Sequence, residues 1–131
     1  MREILFRGKK QNGEWLQGDL VHYGDKILIF SENAQNSPDY YEVNPETVGQ
    51  FTGLTDKNGV KIFDGDILKV GENLLAQITF IDENVQDYGD EIHSAFHAFI
   101  QKHNKTRPID SYFLNNCKII GNIHDNPELL K

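Results

Sequence analysis

Cysteine and long apolar stretches are the two features this sequence has least of. The 131-residue chain contains one cysteine, Cys117, so no disulfide can form within it. No stretch approaches the roughly 18 apolar residues that a membrane-spanning helix needs, and residues 1–10 lack the apolar region of a secretory signal. We therefore expect a protein of a reducing cytoplasm that has no membrane partner.

Positive charge is also scarce. Thirteen Lys and Arg residues stand against twenty Asp and Glu, so the formal net charge is −7 and non-specific binding to polyphosphate is disfavoured. Several basic residues nevertheless fall early in the chain, which is compatible with a local basic patch; they are Arg2, Arg7, Lys9, Lys10 and Lys26. Nucleic acid therefore stays open as an alternative partner.

The remaining composition is that of a folded protein. Hydrophobic residues make up 38% of the chain and charged residues 25%, with eight Phe and five Tyr, which is the range of ordinary globular domains. The length suffices for one domain, or for one domain and a small β-unit. We expect two parts, residues 1–50 and residues 51–131, which could also form one compact unit.

Turn residues between β-prone runs predict a mostly-β fold. Asn12-Gly13 predicts an opening hairpin, because both residues tolerate the positive φ of a type I′ turn, and Asn58-Gly59 predicts a second turn of this kind. Asn44-Pro45 is expected to stop a strand. Strands are predicted at residues 26–30, 40–43, 48–51, 66–70, 75–81 and 117–123, with a polar loop at 31–39 and one short helical turn at 110–115.

Residues 90–103 fit two periodicities. Apolar side chains recur there at helical spacing, but residues 95–101 also alternate as a strand does. Because the surroundings are rich in β-prone residues and turn signals, we predict a strand at residues 95–101.

Three segments, spread over most of the chain, resemble the YopX-like proteins of bacteriophages and prophages, and the middle segment is the most specific. They are residues 5–9 with 12–20 (Leu-Phe-Arg-Gly-Lys and Asn-Gly-Glu-Trp-Leu-Gln-Gly-Asp-Leu), residues 45–59 with 62–67 (Pro-Glu-Thr-Val-Gly-Gln-Phe-Thr-Gly-Leu-Thr-Asp-Lys-Asn-Gly and Ile-Phe-Asp-Gly-Asp-Ile), and residues 120–130 (Ile-Gly-Asn-Ile-His-Asp-Asn-Pro-Glu-Leu-Leu). The resemblance implies a small N-terminal β-hairpin unit and a C-terminal SH3-like β-barrel. It also implies self-association, and the family has no assigned enzymatic reaction.

Two sets of residues raise the question of a metal site. His93 and His97 are four apart, the spacing by which a helix presents two imidazoles to one Zn²⁺, with Glu91 and His103 nearby. In a strand the same two histidines would lie about 13 Å apart, too far to share a metal. Two further residues, Asp64 and Asp66, could hold Mg²⁺, but turn chemistry explains them more simply.

Cys117 lies beside an apolar strand and has no neighbouring base in sequence, so we interpret it as a structural thiol rather than a nucleophile. We predict no catalytic residue, no cofactor and no metal.

Aromatic residues provide the strongest functional hypothesis. Trp15, Tyr40, Tyr41 and Phe51 could form a groove such as SH3-like barrels use to bind peptides or stack bases, or they could pack in the core. The predicted binding surface consists of Trp15, Arg7, Lys9, Lys10, Tyr40 and Tyr41. We predict a phage- or prophage-encoded, non-enzymatic module that assembles with itself or binds a phage or host protein. The alternative is a nucleic-acid-binding accessory protein that uses the barrel face.

Overall fold

A computed structural model of the chain describes residues 4–31, 40–80, 96–100, 105–109 and 111–130. The chain divides into two compact units, Met1–Gly53 (unit 1) and Leu54–Lys131 (unit 2). Two antiparallel sheets make up most of the described structure, so the predicted mostly-β class is confirmed.

Unit 1 begins with the predicted hairpin. Its strands are β1 (Phe6–Lys9), β2 (Trp15–Tyr23), β3 (Lys26–Phe30), β4 (Tyr40–Glu42) and most of β5 (Asn44–Thr55), in the sheet order β4-β3-β2-β1-β5. At the β1–β2 turn Gly13 has a φ of 93°, which glycine adopts without steric strain. The Asn12 side chain accepts a hydrogen bond from the backbone N–H of Glu14 at 3.0 Å. The N–H of Gly13 donates to the carbonyl of Lys10 at 2.9 Å, so the turn is centred on Gln11-Asn12 and Gly13 follows it; the predicted type I′ turn centred on Asn12-Gly13 is wrong, although the hairpin forms.

The sheet of unit 1 is curled, so that the strands at its two ends, β4 and β5, follow each other directly along the chain. Only Val43 separates β4 from β5, although these strands lie at opposite ends of the unit 1 order. Val43 is 2% exposed, and a Cβ added at Gly8 would come within 2.8 Å of its side chain. A Cβ at Gly18 would stand 1.8 Å from the carbonyl oxygen of Phe30. These two glycines therefore let neighbouring backbone and side chains approach closely enough for the curl.

Strand β5 begins earlier than the sequence predicts, at Asn44, and includes Pro45. The register between β1 and β5 shifts between Arg7 and Lys9. At this irregularity the Thr47 hydroxyl accepts a hydrogen bond from the backbone N–H of Lys9 at 2.9 Å and donates one to the carbonyl of Asn44 at 2.7 Å. Because proline has no N–H to donate, it is tolerated at the start of a strand or at a bulge, and here both apply.

Unit 2 follows from the end of β5. Its elements are β6 (Lys61–Phe63), β7 (Asp66–Val70), β8 (Leu74–Phe80), β9 (Phe96–Ile100), β10 (Lys105–Pro108), α1 (Ser111–Asn115), β11 (Cys117–Asn122) and a 3-10 helix, Pro127–Leu130. β6 follows β5 across the second predicted turn, where Gly59 has a φ of 81°, and stands beside β5 in the strand order. The other five strands form a sheet in the order β10-β9-β8-β7-β11.

The core of unit 2 is apolar and is formed by side chains of β6, the five-stranded sheet and α1. Each large aliphatic or aromatic side chain buried in this way contributes about 1.5–3 kcal/mol to folding. The cluster consists of Ile62, Leu68, Val70, Ala76, Ile78, Ala98, Ile100, Phe113 and Cys117.

The sheet of unit 2 is open in the part of the chain that the structure describes. β10 and β11 lie at opposite ends of its strand order and do not pair. A closed barrel requires its first and last strands to be hydrogen-bonded to each other. The SH3-like barrel implied by the family resemblance is therefore corrected to an open five-stranded sheet.

The ambiguous segment is a strand where it is described. β9 covers Phe96–Ile100 and pairs with β8 through Ile78 and Ala98, so the strand prediction is confirmed for these residues. The rest of the segment, at 90–95 and 101–103, lies outside the described residues, as do 32–39 of the predicted polar loop. β10 was not predicted, since Lys-Thr-Arg-Pro has no apolar alternation; it lies at the sheet edge, where proline is tolerated.

None of the helices in the described residues has the length and apolar character needed to cross a membrane.

Candidate functional site

Three of the predicted binding residues meet on one face of the β1–β2 hairpin. Lys9 lies directly opposite Trp15 and Arg7 opposite Gln17, and residues opposed in this way share a face. The Arg7 guanidinium carbon lies 4.9 Å from the centroid of the Trp15 ring, and the Lys9 ammonium lies 5.8 Å from it. Both distances fall within the range of cation–π attraction. We call Arg7, Lys9 and Trp15 the cation–aromatic cluster.

Lys10 takes part in a separate arrangement at the end of the hairpin. Its ammonium lies 3.1 Å from the Glu14 carboxylate and 4.9 Å from the centroid of the Tyr41 ring. Both contacts orient the side chain, but an ion pair with so exposed a carboxylate contributes little stability. Lys10 and Tyr41 therefore lie beside each other, apart from the face that bears Tyr40.

The four aromatic side chains proposed as a groove do not come together. Tyr40 and Tyr41 are adjacent in β4 and so point to opposite faces of the sheet. Tyr40 is exposed and contacts Phe30, with ring centroids 4.9 Å apart. Phe51 is a core residue, 5% exposed.

A strip of apolar side chains on the same face as the cluster was missed by the sequence reasoning. Val21 lies opposite Leu28 across β2 and β3, and Phe30 lies opposite Tyr40 across β3 and β4. These positions are half-buried or exposed, whereas Ile29, on the other face of β3, is fully buried. We call Val21, Leu28, Phe30 and Tyr40 the apolar strip, and the face that bears it and the cluster the outer face. Residues at odd positions of β2 share one face, so the sequence could have indicated that Val21 lies on the face of Trp15. Only the strand register shows which residues of β3 and β4 lie opposite them.

The histidine hypothesis now rests on a single described residue. His97 lies in β9 and is 6% exposed, and burial lowers the pKa of its imidazole below the usual 6.5. Its proposed partners, His93, Glu91 and His103, lie outside the described residues. Among the residues that are described, no group of three or more His, Cys, Asp or Glu side chains could hold a metal ion.

Asp66, which was considered as a magnesium ligand, acts in a turn. It is buried, and its carboxylate accepts a hydrogen bond from the backbone N–H of Phe63 at 2.7 Å, which links the end of β6 to the start of β7. This is the turn role that the sequence analysis favoured for the segment around Gly65.

Asp56 is a residue whose importance the sequence reasoning missed. It is 5% exposed, and one carboxylate oxygen accepts hydrogen bonds from the backbone N–H groups of Asn58 and Val60 at 2.9 and 3.0 Å. The other oxygen accepts one from Ile119 in β11 at 3.0 Å. Burial by itself raises the pKa of Asp56, but these three donors and the charge of Lys57 outweigh it, so the pKa lies below 3.8.

Cys117 is fully buried in the unit 2 core, and its thiol lies 3.7 Å from the carbonyl oxygen of Leu114. Burial, followed by the nearby charge of Asp56, raises its pKa to about 11. A nucleophilic cysteine needs accessibility and a lowered pKa. The geometry agrees with the structural role expected for this thiol.

The C-terminal family-like segment is also explained by turn structure. The Asn122 side chain accepts hydrogen bonds from the backbone N–H groups of His124 and Asp125 at 3.0 and 2.9 Å. The Asn126 side chain accepts one from Asn122 at 3.2 Å and would be only 2.5 Å from a Cβ at Gly121. These amides and the close glycine stabilise the turn after β11.

Fold and site together define a mostly-β protein of two antiparallel sheets, in which the buried carboxylates of Asp56 and Asp66 in unit 2 accept hydrogen bonds from the backbone and unit 1 presents a cation–aromatic surface. The chain belongs to the YopX family, because the family model described as "YopX protein" matches residues 5–131. The resemblance identified in the three sequence segments is therefore confirmed.

A solved structure supports the same fold. The crystal structure of protein EF1440 from Enterococcus faecalis is similar over 100% of both chains, with 24% sequence identity and a TM-score of 0.56. At that identity the likeness shows a shared fold alone. No curated protein matches the chain significantly.

Proposed function

We propose that this YopX-family chain is a non-enzymatic protein-binding or assembly module, encoded by a bacteriophage or prophage and acting in the cytoplasm of the bacterial host. The phage or prophage origin rests on the family resemblance, and the genes flanking its coding sequence test it. Self-association and contact with a phage or host protein are the two forms that the proposed binding takes.

The outer face of unit 1 is the observation that carries this proposal. Arginine and aromatic residues are enriched at the energetic centres of protein interfaces, and here Arg7 and Trp15 are in contact. The apolar strip lies on the same face, with Val21, Leu28 and Phe30 half-buried and Tyr40 exposed. A face that combines ordered cations with partly exposed apolar side chains is suited to binding a protein surface.

The non-enzymatic part of the proposal is supported by what two of the groups with a shifted pKa, Asp56 and Cys117, do in the structure. Asp56 holds three backbone N–H groups, and Cys117 is buried with a pKa raised to about 11. Both groups therefore have structural explanations. Strongly perturbed groups at active sites are usually matched to a chemical task in a cleft, and neither of these side chains is accessible for one.

The nucleic-acid alternative is favoured by the basic residues of the cluster and opposed by two other features. The net charge of −7 repels polyphosphate at long range. In addition, Arg7 and Lys9 both lie over the Trp15 ring, which therefore offers less open surface for base stacking. The protein-binding function fits these features better.

The deciding experiment is the molar mass of the purified protein by light scattering, at two salt concentrations and with and without a short oligonucleotide. We expect a defined oligomer whose mass does not change with the oligonucleotide. Leu28→Lys, on the outer face, should reduce that mass, because its new charge would be desolvated in an interface. Asp25→Asn, at the turn before β3, changes the net charge by the same amount and serves as the control.

A monomer whose mass rises with the oligonucleotide only at low salt would contradict the proposal in favour of the nucleic-acid function. A monomer that does not respond to the oligonucleotide would remove self-association and leave binding of another protein.

A further inference from the structure

The cation–aromatic cluster also indicates what kind of protein segment the outer face receives. Resting on the proposed protein-binding function, we propose that Arg7 and Lys9 bind two carboxylates at alternate positions of an acidic, extended segment of the partner protein. Arg7 and Lys9 are two residues apart in β1, so their side chains leave one face about 7 Å apart. An extended peptide repeats its own side chains with the same period, so alternate carboxylates match both cations.

The chemistry of the two cations suits carboxylates. A guanidinium has five N–H donors in a planar fork and an ammonium has three, so each can contact several partners at once. Arginine in particular holds a carboxylate through two parallel hydrogen bonds. The Trp15 ring, within 4.9 Å of Arg7 and 5.8 Å of Lys9, limits the freedom of both side chains before a ligand arrives. Because the two side chains are already ordered, they lose less conformational entropy when a ligand binds.

The acidic residues around the cluster restrict the ligand to a short segment. Glu14 precedes Trp15, and Asp19 lies on the same face four residues further along β2; both are exposed. A long polyanion needs a continuous basic path, as single-stranded nucleic acids find in their binding grooves. Here Asp19 interrupts the basic surface along β2, so the cluster offers two cations for two anionic groups of a peptide and no continuous basic path for a phosphate backbone.

The chain supplies its own reporter for the test. Trp15 is its single tryptophan and belongs to the cluster, so intrinsic fluorescence reports binding at this place. The probes are threonine-rich decapeptides without aromatic residues, one with Glu-Thr-Glu at its centre, one with Gln-Thr-Gln and one with two adjacent glutamates. A short oligothymidylate is the fourth probe.

We expect the Glu-Thr-Glu peptide to change Trp15 emission saturably, with an affinity about tenfold or more above that of the Gln-Thr-Gln peptide, which is the factor for loss of a charge-assisted hydrogen bond. The peptide with adjacent glutamates should bind more weakly than Glu-Thr-Glu, because neighbouring side chains of an extended chain point to opposite sides. Higher salt should weaken the binding.

Three variants localise the effect. Arg7→Gln and Lys9→Gln should each lower the affinity for the Glu-Thr-Glu peptide about tenfold. Lys26→Gln removes the same charge from the far end of the outer face, opposite Tyr23, and should leave the affinity unchanged. Circular dichroism of each variant checks that unit 1 is folded, and two independent cluster variants keep the test valid if one of them is not.

Each contrary result has a distinct meaning. Equal binding of the glutamine peptide, or equal loss in Lys26→Gln, would overturn the carboxylate assignment while the protein-binding function stands. Equal binding of the peptide with adjacent glutamates would overturn the alternate spacing. An emission change with oligothymidylate and none with any peptide would overturn both the inference and the proposed function. No change with any probe would overturn the inference alone, since the light-scattering experiment judges the function separately.

Discussion

Two carboxylates of unit 2 and two cations of unit 1 lie in different environments. In unit 2 the carboxylates of Asp56 and Asp66 are buried and accept hydrogen bonds from backbone N–H groups. In unit 1 the charged groups of Arg7 and Lys9 lie on a sheet face, against an aromatic ring. The C-terminal family-like segment and the later part of the middle one fall in unit 2, where Asp56, Asp66 and Asn122 stabilise turns, whereas the proposed binding surface lies in unit 1.

The units also differ in how they achieve close packing. Unit 2 has a large apolar cluster that includes Leu68, Ile78 and Phe113. Within the sheet of unit 1, neighbouring backbone at Gly18 and the side chain of Val43 at Gly8 approach too closely for a Cβ, whereas the close approach at Gly121 in unit 2 lies at the turn after β11. We therefore expect unit 1 to be sensitive to backbone crowding and unit 2 to the loss of hydrogen-bonded or apolar groups.

The largest effect should come from Gly18→Ala. The new Cβ would stand 1.8 Å from the carbonyl oxygen of Phe30, which is backbone and cannot turn aside as a side chain can. Because the β2–β3 pairing must shift, the cost should exceed the ~1–3 kcal/mol of ordinary overpacking. Urea unfolding followed by Trp15 emission measures it, since Trp15 lies in β2.

Gln17→Ala, at the exposed neighbouring position, is the control and should change the unfolding free energy by less than about 0.5 kcal/mol. If the unfolding free energy of Gly18→Ala equals that of the parent, the close approach at Gly18 does not explain the curl of the sheet.

The next largest effect should come from Asp56→Asn. An amide NH₂ in place of one carboxylate oxygen would face a backbone donor, so at least one charge-assisted hydrogen bond is lost and one N–H is left buried, at a cost of about 3 kcal/mol. The reactivity of the buried Cys117 with a thiol reagent in increasing urea reports the unfolding of unit 2. Asp19→Asn, on the exposed outer face, is the matched control. If Trp15 emission and Cys117 reactivity shift together, the two units unfold as one and the comparison between them fails.

The same variant should alter the acid side of the stability curve. The pKa of Asp56 is lowered below 3.8 in the folded state, so its contribution to stability is present above that pH and is lost as the pH falls through the folded value. The unfolding free energy of Asp56→Asn should accordingly fall less steeply than that of the parent below pH 3.8.

A third, smaller effect should appear at alkaline pH. Burial raises the pKa of Cys117 from 9.0 to about 11, so folding disfavours the thiolate. The corresponding stability is present below pH 9.0 and is lost progressively as the pH rises through about 11. Cys117→Ala should be destabilised at neutral pH by the lost packing, and its unfolding free energy should depend less on pH in that window. An unchanged pH slope would contradict the buried position of the thiol.

Local chemistry explains which parts of the fold could be predicted. Asn12-Gly13 and Asn58-Gly59 both mark turns between strands, as predicted, and both glycines have a positive φ. The N–H of Gly13 bonds the carbonyl of Lys10 and the N–H of Gly59 bonds the carbonyl of Asp56, so each glycine follows its turn and is not in the centre of a type I′ turn. β10 could not be predicted, because Lys105–Pro108 does not alternate between apolar and polar residues. It is recognised as a strand only by its pairing with β9.

The candidate site was only partly predictable, for a similar reason. Arg7, Lys9 and Trp15 were identified from their types and their nearness in sequence, and the hairpin register brings them together. The separation of Tyr40 from Tyr41 follows from the strand that contains both. The apolar strip could not be assembled, because it requires the register between three strands. The role of Asp56 depends on Ile119, which is 63 positions away in the chain.

The smallest effect on stability should come from replacing Arg7 in the cation–aromatic cluster. This variant tests most directly whether the charged residues of unit 1, unlike the buried carboxylates of unit 2, contribute little to folding. A cation–π contact at a partly exposed site contributes about 0.5–1 kcal/mol, so the loss of the contact with Trp15 in Arg7→Gln should lower the unfolding free energy of unit 1 by about that amount. Its Trp15 emission in the folded state should nevertheless change, because the guanidinium lies 4.9 Å from the ring centroid. Arg7→Lys, which keeps the charge without the planar group, separates the loss of charge from the loss of shape. A cost of several kcal/mol for Arg7→Gln would place Arg7 with Asp56 among the structural residues, because a side chain that mainly serves binding can be replaced at little cost to folding.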